Sequence, residues 1–243
     1  MITERQQIIV SGIPVEVVRK EIKNLHLAVY PPGGRVRVAV PSWLRDETVR
    51  LAVVSRLGWI RRQRTRFAEQ VRQSEREMVT GETHFFRGRP YRLVVIAREE
   101  RRAEVRTRND RRMELRVPRG LPAQGRRVAL NQWYRQELRR RIPALIAKWE
   151  PIVGVSVAEW RIRRMRTRWG TCNPTARRVW LNLELAKKQP PCLEYVVVHE
   201  MVHLLERHHS PRFQDLMDRF MPNWKQHREQ LNQAPLAHET WRY

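Results

Sequence analysis

Cysteine, long apolar runs and acidic charge are all scarce in this chain of 243 residues, and each scarcity removes a class of protein. Only Cys172 and Cys192 are present, too few for a disulfide framework and without the four-ligand Cys/His spacing of a structural zinc site, so both read as reduced thiols. No apolar run approaches the eighteen or so residues of a membrane span, which with 41% hydrophobic residues predicts a soluble chain. The amino terminus carries Glu4 and Arg5 and lacks the apolar core of a secretory signal, so the expected location is the cytoplasm. Acidic residues number 25 against 49 basic ones, a net charge of +24. The excess is spread over 61–66, 98–112, 135–141 and 161–168 with glutamates interleaved, which predicts weak nucleic-acid binding without sequence preference.

No internal repeat or low-complexity tail is present, and local patterning then organises the chain. Apolar and polar residues alternate through the first forty positions, which read as a hairpin of strands punctuated by Pro31-Pro32-Gly33-Gly34. From Asp46 to about Gln73, Val49, Val53, Leu57, Ile60, Phe67 and Val71 recur at helical spacing. A second β segment covers 84–98 and 111–118. The cluster Pro118, Gly120, Pro122 and Gly125 is the expected boundary, dividing a β-rich region with one long helix (1–118) from a metal-dependent hydrolase domain (119–243). Downstream, a helical run over 128–150 is expected to kink or break at Pro143, followed by short strands near 155–165 and 177–185 and two helical stretches. The order strand, strand, helix, helix predicts an α+β fold.

Four histidines crowd into residues 194–213. On a helix, four residues turn about 400°, so His199 and His203 stack on one face with Glu200 beside them. H-E-x-x-H on a helix is the zincin arrangement, two imidazoles for zinc and a glutamate that acts on water. Apolar residues from Tyr195 to Leu205 nearly surround this helix, so an ionised carboxylate there needs compensation, and a divalent cation supplies it. A catalytic zinc takes three protein ligands, and the candidates for the third rank as His209, then His208, then Glu206. His209 stands six residues after His203 and before Pro211; the metzincin glycine is replaced here by Glu206.

Together, "RTRWGTC" (166–172), "VWLNLEL" (179–185), "YVVVHEMVHL" (195–204), "HSPRF" (209–213) and "MPNWK" (221–225) resemble the YgjP-like metallopeptidase family, related to the SprT-like and WLM zincins. The resemblance implies one zinc ion held by His199, His203 and His209, with Glu200 as catalytic base. The chain departs from the family's usual residues at His208, Met201 and Gln214, none of which removes a ligand. Around the site, Arg168, His208 and Tyr195 are candidate oxyanion donors, and Trp169–Gly170 could let a substrate backbone approach. Cys172 has no identifiable activating base. Peptide hydrolysis on peptide or protein substrates is the expected activity. Two alternatives share the site: hydrolysis of a nucleotide phosphoanhydride, and proteolysis of DNA-bound proteins, the latter suggested by the SprT and WLM likeness together with the charge.

Overall fold

A computed structural model describes residues 5–30, 33–69, 77–99, 102–165 and 168–233, apart from the side chains of 66–69. The fold is α+β, as expected, and it forms two compact units, Met1–Arg72 and Gln73–Tyr243, each with its own core.

In the first unit, β1 (Arg5–Val10), β2 (Ile13–Lys20), β3 (His26–Tyr30) and β4 (Arg35–Pro41) form one sheet in the order β1-β2-β4-β3. The single expected hairpin is therefore two, β1–β2 and β3–β4, joined through a parallel pairing of β2 with β4. Ser11 and Gly12, both at positive φ (50° and 76°), close the first with the primed turn that matches strand twist. Pro31 and Pro32 lie outside the described residues. Val15, Val17, Val36 and Val38 pack with Val49, Val53 and Ile60 of two helices, α1 (Asp46–Val54) and α2 (Leu57–Glu69). The sequence reads as one helix here. It breaks after Ser55, whose hydroxyl donates to Ala52 O, the carbonyl that the Arg56 amide would use in a continuing helix, while the Arg56 amide donates to Val53 O instead. Val71 and the Phe67 side chain lie outside the described residues.

Among the described residues the second unit holds two sheets. Strands β5 (Thr83–Phe86), β6 (Arg89–Arg98), β7 (Glu104–Thr107) and β8 (Arg112–Pro118) are ordered β5-β6-β8-β7. The long helix α3 (Ala123–Val153) follows. Strands β9 (Glu159–Arg163), β10 (Gly170–Asn173) and β11 (Arg178–Asn182) form a sheet ordered β10-β11-β9, with β10 at an edge. A 3-10 turn (Leu183–Lys187) leads to α4 (Pro190–Val202), α5 (Pro211–Phe220) and α6 (Trp224–Gln233).

Helix α3 buries Leu130, Tyr134, Leu138, Ile142, Ile146, Trp149 and Val153, a stripe spaced by three or four residues that faces α4, the 3-10 turn and strands β7 and β8. It continues through Pro143 instead of breaking there. Pro143 and Arg139, whose carbonyl loses its helical donor, are both exposed, so water can satisfy the freed oxygen. The boundary expected at 118/119 falls inside this unit. The Pro/Gly cluster is only the turn between β8 and α3 and, at Gly125, the start of α3, and it divides no cores, because Phe86, Leu93, Met113 and Leu115 share one core with α3 and α4. The β5–β6 turn also docks directly below α4: Arg87 and Gly88 donate their amides to Ala186 O and Lys187 O, both at 3.0 Å.

Gly88 has φ 76°, and a Cβ there would lie 3.2 Å from the Gln189 backbone and closer still to its side chain. Gly120 has φ 75° with nothing within 4 Å. Gly88→Ala is expected to lower stability by about 2–3 kcal/mol and Gly120→Ala by about 1 kcal/mol, the second paying only for left-handed backbone. Urea unfolding of both variants checks this, and equal losses would show that the Gly88 approach is not tight.

Candidate metal centre

Helix α4 starts without a side-chain cap on Gln189, but Pro190 and Pro191 occupy its first turn, where their missing amides cost nothing. Val196, Val197, Val198, Met201 and Val202 are fully or nearly fully buried, and Glu200 is only 5% exposed. The helix ends at Val202, yet His203 keeps helical backbone (φ −65°, ψ −13°) and donates its amide to His199 O. The i, i+4 relation of the two histidines survives, and their ring centroids are 4.9 Å apart.

Tight turns at Leu204, Leu205 and Glu206 then redirect the chain. Ser210 caps α5 by accepting from the Phe213 amide, and Pro211 sets its first turn. This cap fixes His209 immediately before the helix. His209 Nε2 lies 3.0 Å from His199 Nε2, and one nitrogen from each of His199, His203 and His209 falls within 4.8 Å of the others. Beneath them sits buried Phe213, its ring centroid 5.0, 4.6 and 4.9 Å from those of His199, His203 and His209.

Outer contacts fix which ring nitrogens face inward. His203 Nδ1 stands 3.0 Å from Glu206 O, a carbonyl that can only accept, so Nδ1 carries the proton and Nε2 keeps a lone pair. The Tyr195 hydroxyl lies 3.5 Å from His199 Nδ1, and its ring stacks on Trp224 at 6.4 Å and 10°. His208 and Glu206, the rival third ligands, do not join the cluster. His208 is exposed, and its amide donates to the Glu206 carboxylate.

Electrostatics favour a cation at this point. Burial above all, then the neighbouring His203, His209 and Arg228, pushes His199 down to about 3. His203 and His209 are lowered too, first by burial. Burial raises Glu200 to about 8, only partly opposed by Arg168. Three imidazoles held toward their neutral form, with converging lone pairs, beside a buried carboxyl group form a donor set that fits a divalent metal ion.

The floor of the site depends on Gly170. A Cβ there would lie 2.6 Å from Glu200 Cγ and 2.7 Å from Cδ, so the edge strand β10 and the glutamate fit together only without a side chain. The sequence suggests that Gly170 makes room for a substrate backbone; in the structure it makes room for Glu200. Asn182, 3% exposed, donates from Nδ2 to Met165 O and Arg168 O at 2.8 and 2.7 Å and accepts from the Glu184 amide. It thereby holds the segment that enters β10. Its only sequence signal is a lone amide in the apolar run V-W-L-N-L.

A cleft of about 780 Å³ is lined by the three histidines, Glu200, all of β10, and also by Arg168, Tyr195, Arg207 and Arg228. Of the three candidate oxyanion donors, Arg168 and Tyr195 line this cleft and His208 does not. The Tyr195 hydroxyl meets the His199 nitrogen opposite the one that faces His209. Cys172 is pushed up to about 12 by burial and by Glu200, which makes it an unreactive thiol. Phe213, Arg207 and Arg228 carried no functional signal in the sequence beyond the motif match at 209–213.

A histidine pair one helical turn apart, with a third histidine from the following loop and a buried carboxylate alongside, defines a site of the metallohydrolase class. Residues 23–234 match the family model described as YgjP-like, metallopeptidase domain, and the chain belongs to that family. It is accordingly a metallopeptidase by family, with peptide or protein as the implied substrate. No curated protein matches the chain. Among solved structures, the metallopeptidase zymogen of Pyrococcus abyssi abylysin aligns with a TM-score of 0.35 at 18% identity, over 37% of this chain and 90% of that chain.

Gly170→Ala should leave the stoichiometry of bound metal unchanged while peptide turnover falls about a hundredfold, the effect of displacing a group beside the reacting atoms by roughly 1 Å. Metal analysis beside a turnover assay checks it; wild-type turnover would mean that Glu200 has room to shift.

Proposed function

We propose that the protein is a zinc-dependent peptidase in which His199, His203 and His209 hold one zinc ion and Glu200 is the general base. The observation that carries this reading is the approach of three histidine nitrogens to within 4.8 Å of one another, with a buried carboxylate one residue from the first. Zinc bound there supplies Lewis acidity toward a water molecule and the scissile carbonyl.

The chain's own residues do the rest. The positive charge of the ion favours the ionised form of Glu200, reversing the effect of burial. The Glu200 carboxylate accepts a proton from the water whose oxygen adds to the carbonyl carbon. It then returns that proton to the amine nitrogen as the C–N bond breaks. Glu206 O keeps the His203 proton on Nδ1, so the imidazole presents Nε2 as a ligand, and Phe213 restrains all three rings. Arg168, on the cleft wall, is the candidate donor to the developing oxyanion.

The edge strand β10 favours a peptide over a nucleotide. It pairs only with β11 within its sheet and lines the cleft along its whole length, which offers an extended substrate backbone a row of main-chain partners.

Glu200→Gln is expected to retain zinc and lose hydrolysis. His209→Ala should lose most bound zinc and all activity, whereas His208→Ala should retain the metal. Metal analysis and parallel incubation of zinc-loaded protein with an unfolded protein and with nucleoside triphosphates check both the ligand set and the substrate class. Triphosphate cleavage without proteolysis would replace the peptidase reading, and zinc loss on changing His208 but not His209 would move the third ligand by one residue.

A further inference from the structure

The mechanism above uses one carboxylate and three histidines, but the cleft also presents three arginines. Arg168 enters from the segment before β10, Arg207 from the loop after α4, and Arg228 from α6. All three are exposed, and among the described residues none has a carboxylate within ion-pair distance. Contrast the second unit's β sheet, where Arg108 and Arg116 share Glu114, and Arg112 pairs with Asp110. Among the described residues Glu200 is the only carboxylate in the cleft lining, and it is buried beside the three histidines.

Arg228 stands closest to the chemistry in its connections. Its guanidinium carbon lies 5.9 Å from the Trp224 ring centroid; Trp224 stacks on Tyr195, and Tyr195 meets His199 edge-on at 5.6 Å. The guanidinium is thus carried on the aromatic stack that backs the first histidine. Three cations without a carboxylate partner among the described residues, set around a divalent-metal site, repel one another and the metal, and an anionic group on the substrate relieves all of these terms together.

We propose that the cleft selects substrates bearing a carboxylate, and that Arg228 is the principal specificity-determining contact, with Arg168 and Arg207 reinforcing it. This rests on the peptidase reading and names its substrate class. The carboxylate can be an Asp or Glu side chain near the cleaved bond or the substrate's own C-terminus; a guanidinium fork accepts either.

Three matched quenched-fluorescence peptides separate these cases: one neutral with an amidated end, one with Asp and Glu and an amidated end, and one neutral with a free carboxylate. The zinc-loaded enzyme should cleave at least one carboxylate-bearing peptide with kcat/KM about tenfold above the neutral amide, expressed through KM. Whichever peptide is preferred identifies the source. Arg228→Gln should bring that ratio near one and Arg228→Lys should keep part of it. Arg139→Gln, an equal charge change on the exposed face of α3, should leave it intact. Equal cleavage of all three peptides, or an equal loss of preference in the Arg139 variant, overturns the proposal, the second by reducing it to net charge. If no peptide is cleaved, the peptidase reading fails on its own. Anisotropy binding of the same peptides to zinc-loaded Glu200→Gln protein then decides the cleft preference: tighter binding of a carboxylate peptide, lost with Arg228→Gln, upholds it, and indifference overturns it.

Discussion

Desolvation of the three imidazoles and Glu200 over the Phe213 ring is the constraint on which the rest of the site depends. Removing these groups from water makes the histidines poor bases and the glutamate a poor acid, leaving lone pairs that converge and a carboxyl group whose burial Arg168 only partly offsets. Such a cluster is costly by itself and becomes favourable around a cation. The apolar character of α4, the absence of a side chain at Gly170, and the redirection of the chain between His203 and Ser210 all serve that burial.

Burial in turn requires a scaffold that does not yield. Helix α3 supplies one wall through a continuous apolar stripe, and the Lys148 and Trp149 side chains donate to the Glu194 carboxylate on α4 at 2.7 and 2.9 Å. The β5–β6 turn braces the chain just before α4 through its two amides on the 3-10 turn. The four-stranded sheet β5-β6-β8-β7 is therefore part of the support for the histidine cluster rather than a separate amino-terminal module, and its core is continuous with that of α4.

The high positive charge is organised unevenly. On sheet β5-β6-β8-β7 and on β9, arginines alternate with acidic partners, as in Arg106 with Glu104 and Arg161 with Glu159. Exposed pairs of this kind contribute little to stability, about 0–1 kcal/mol each, but they lower the local excess of charge. Among the described residues no such partner stands beside Arg168, Arg207 or Arg228 in the cleft, so the residue type that is neutralised on the strands keeps its charge on the cleft wall.

The helix period and the H-E-x-x-H spacing determine that His199, Glu200 and His203 share one region of α4, because that geometry is local and needs nothing from the rest of the chain. The strand pattern likewise marks β1, β2, β4, β6, β8 and β11, where alternation is clear. Less was legible wherever a second element decides. One residue of register separates His208 from His209, and the Ser210 cap of α5 aims the chain so that His209 reaches the cluster. Pro143 breaks helices by local rules, but an exposed position beside solvent lets α3 run through it. Pro118 to Gly125 looks like a domain boundary by composition and is a turn leading into α3 inside a shared core, since composition reports backbone freedom and not what packs on either side. Gly170, Phe213 and Arg228 acquire their roles only when β10, α5 and α6 meet α4. Contacts between residues distant in sequence leave no periodic trace along the chain, so only the tertiary structure could assign them.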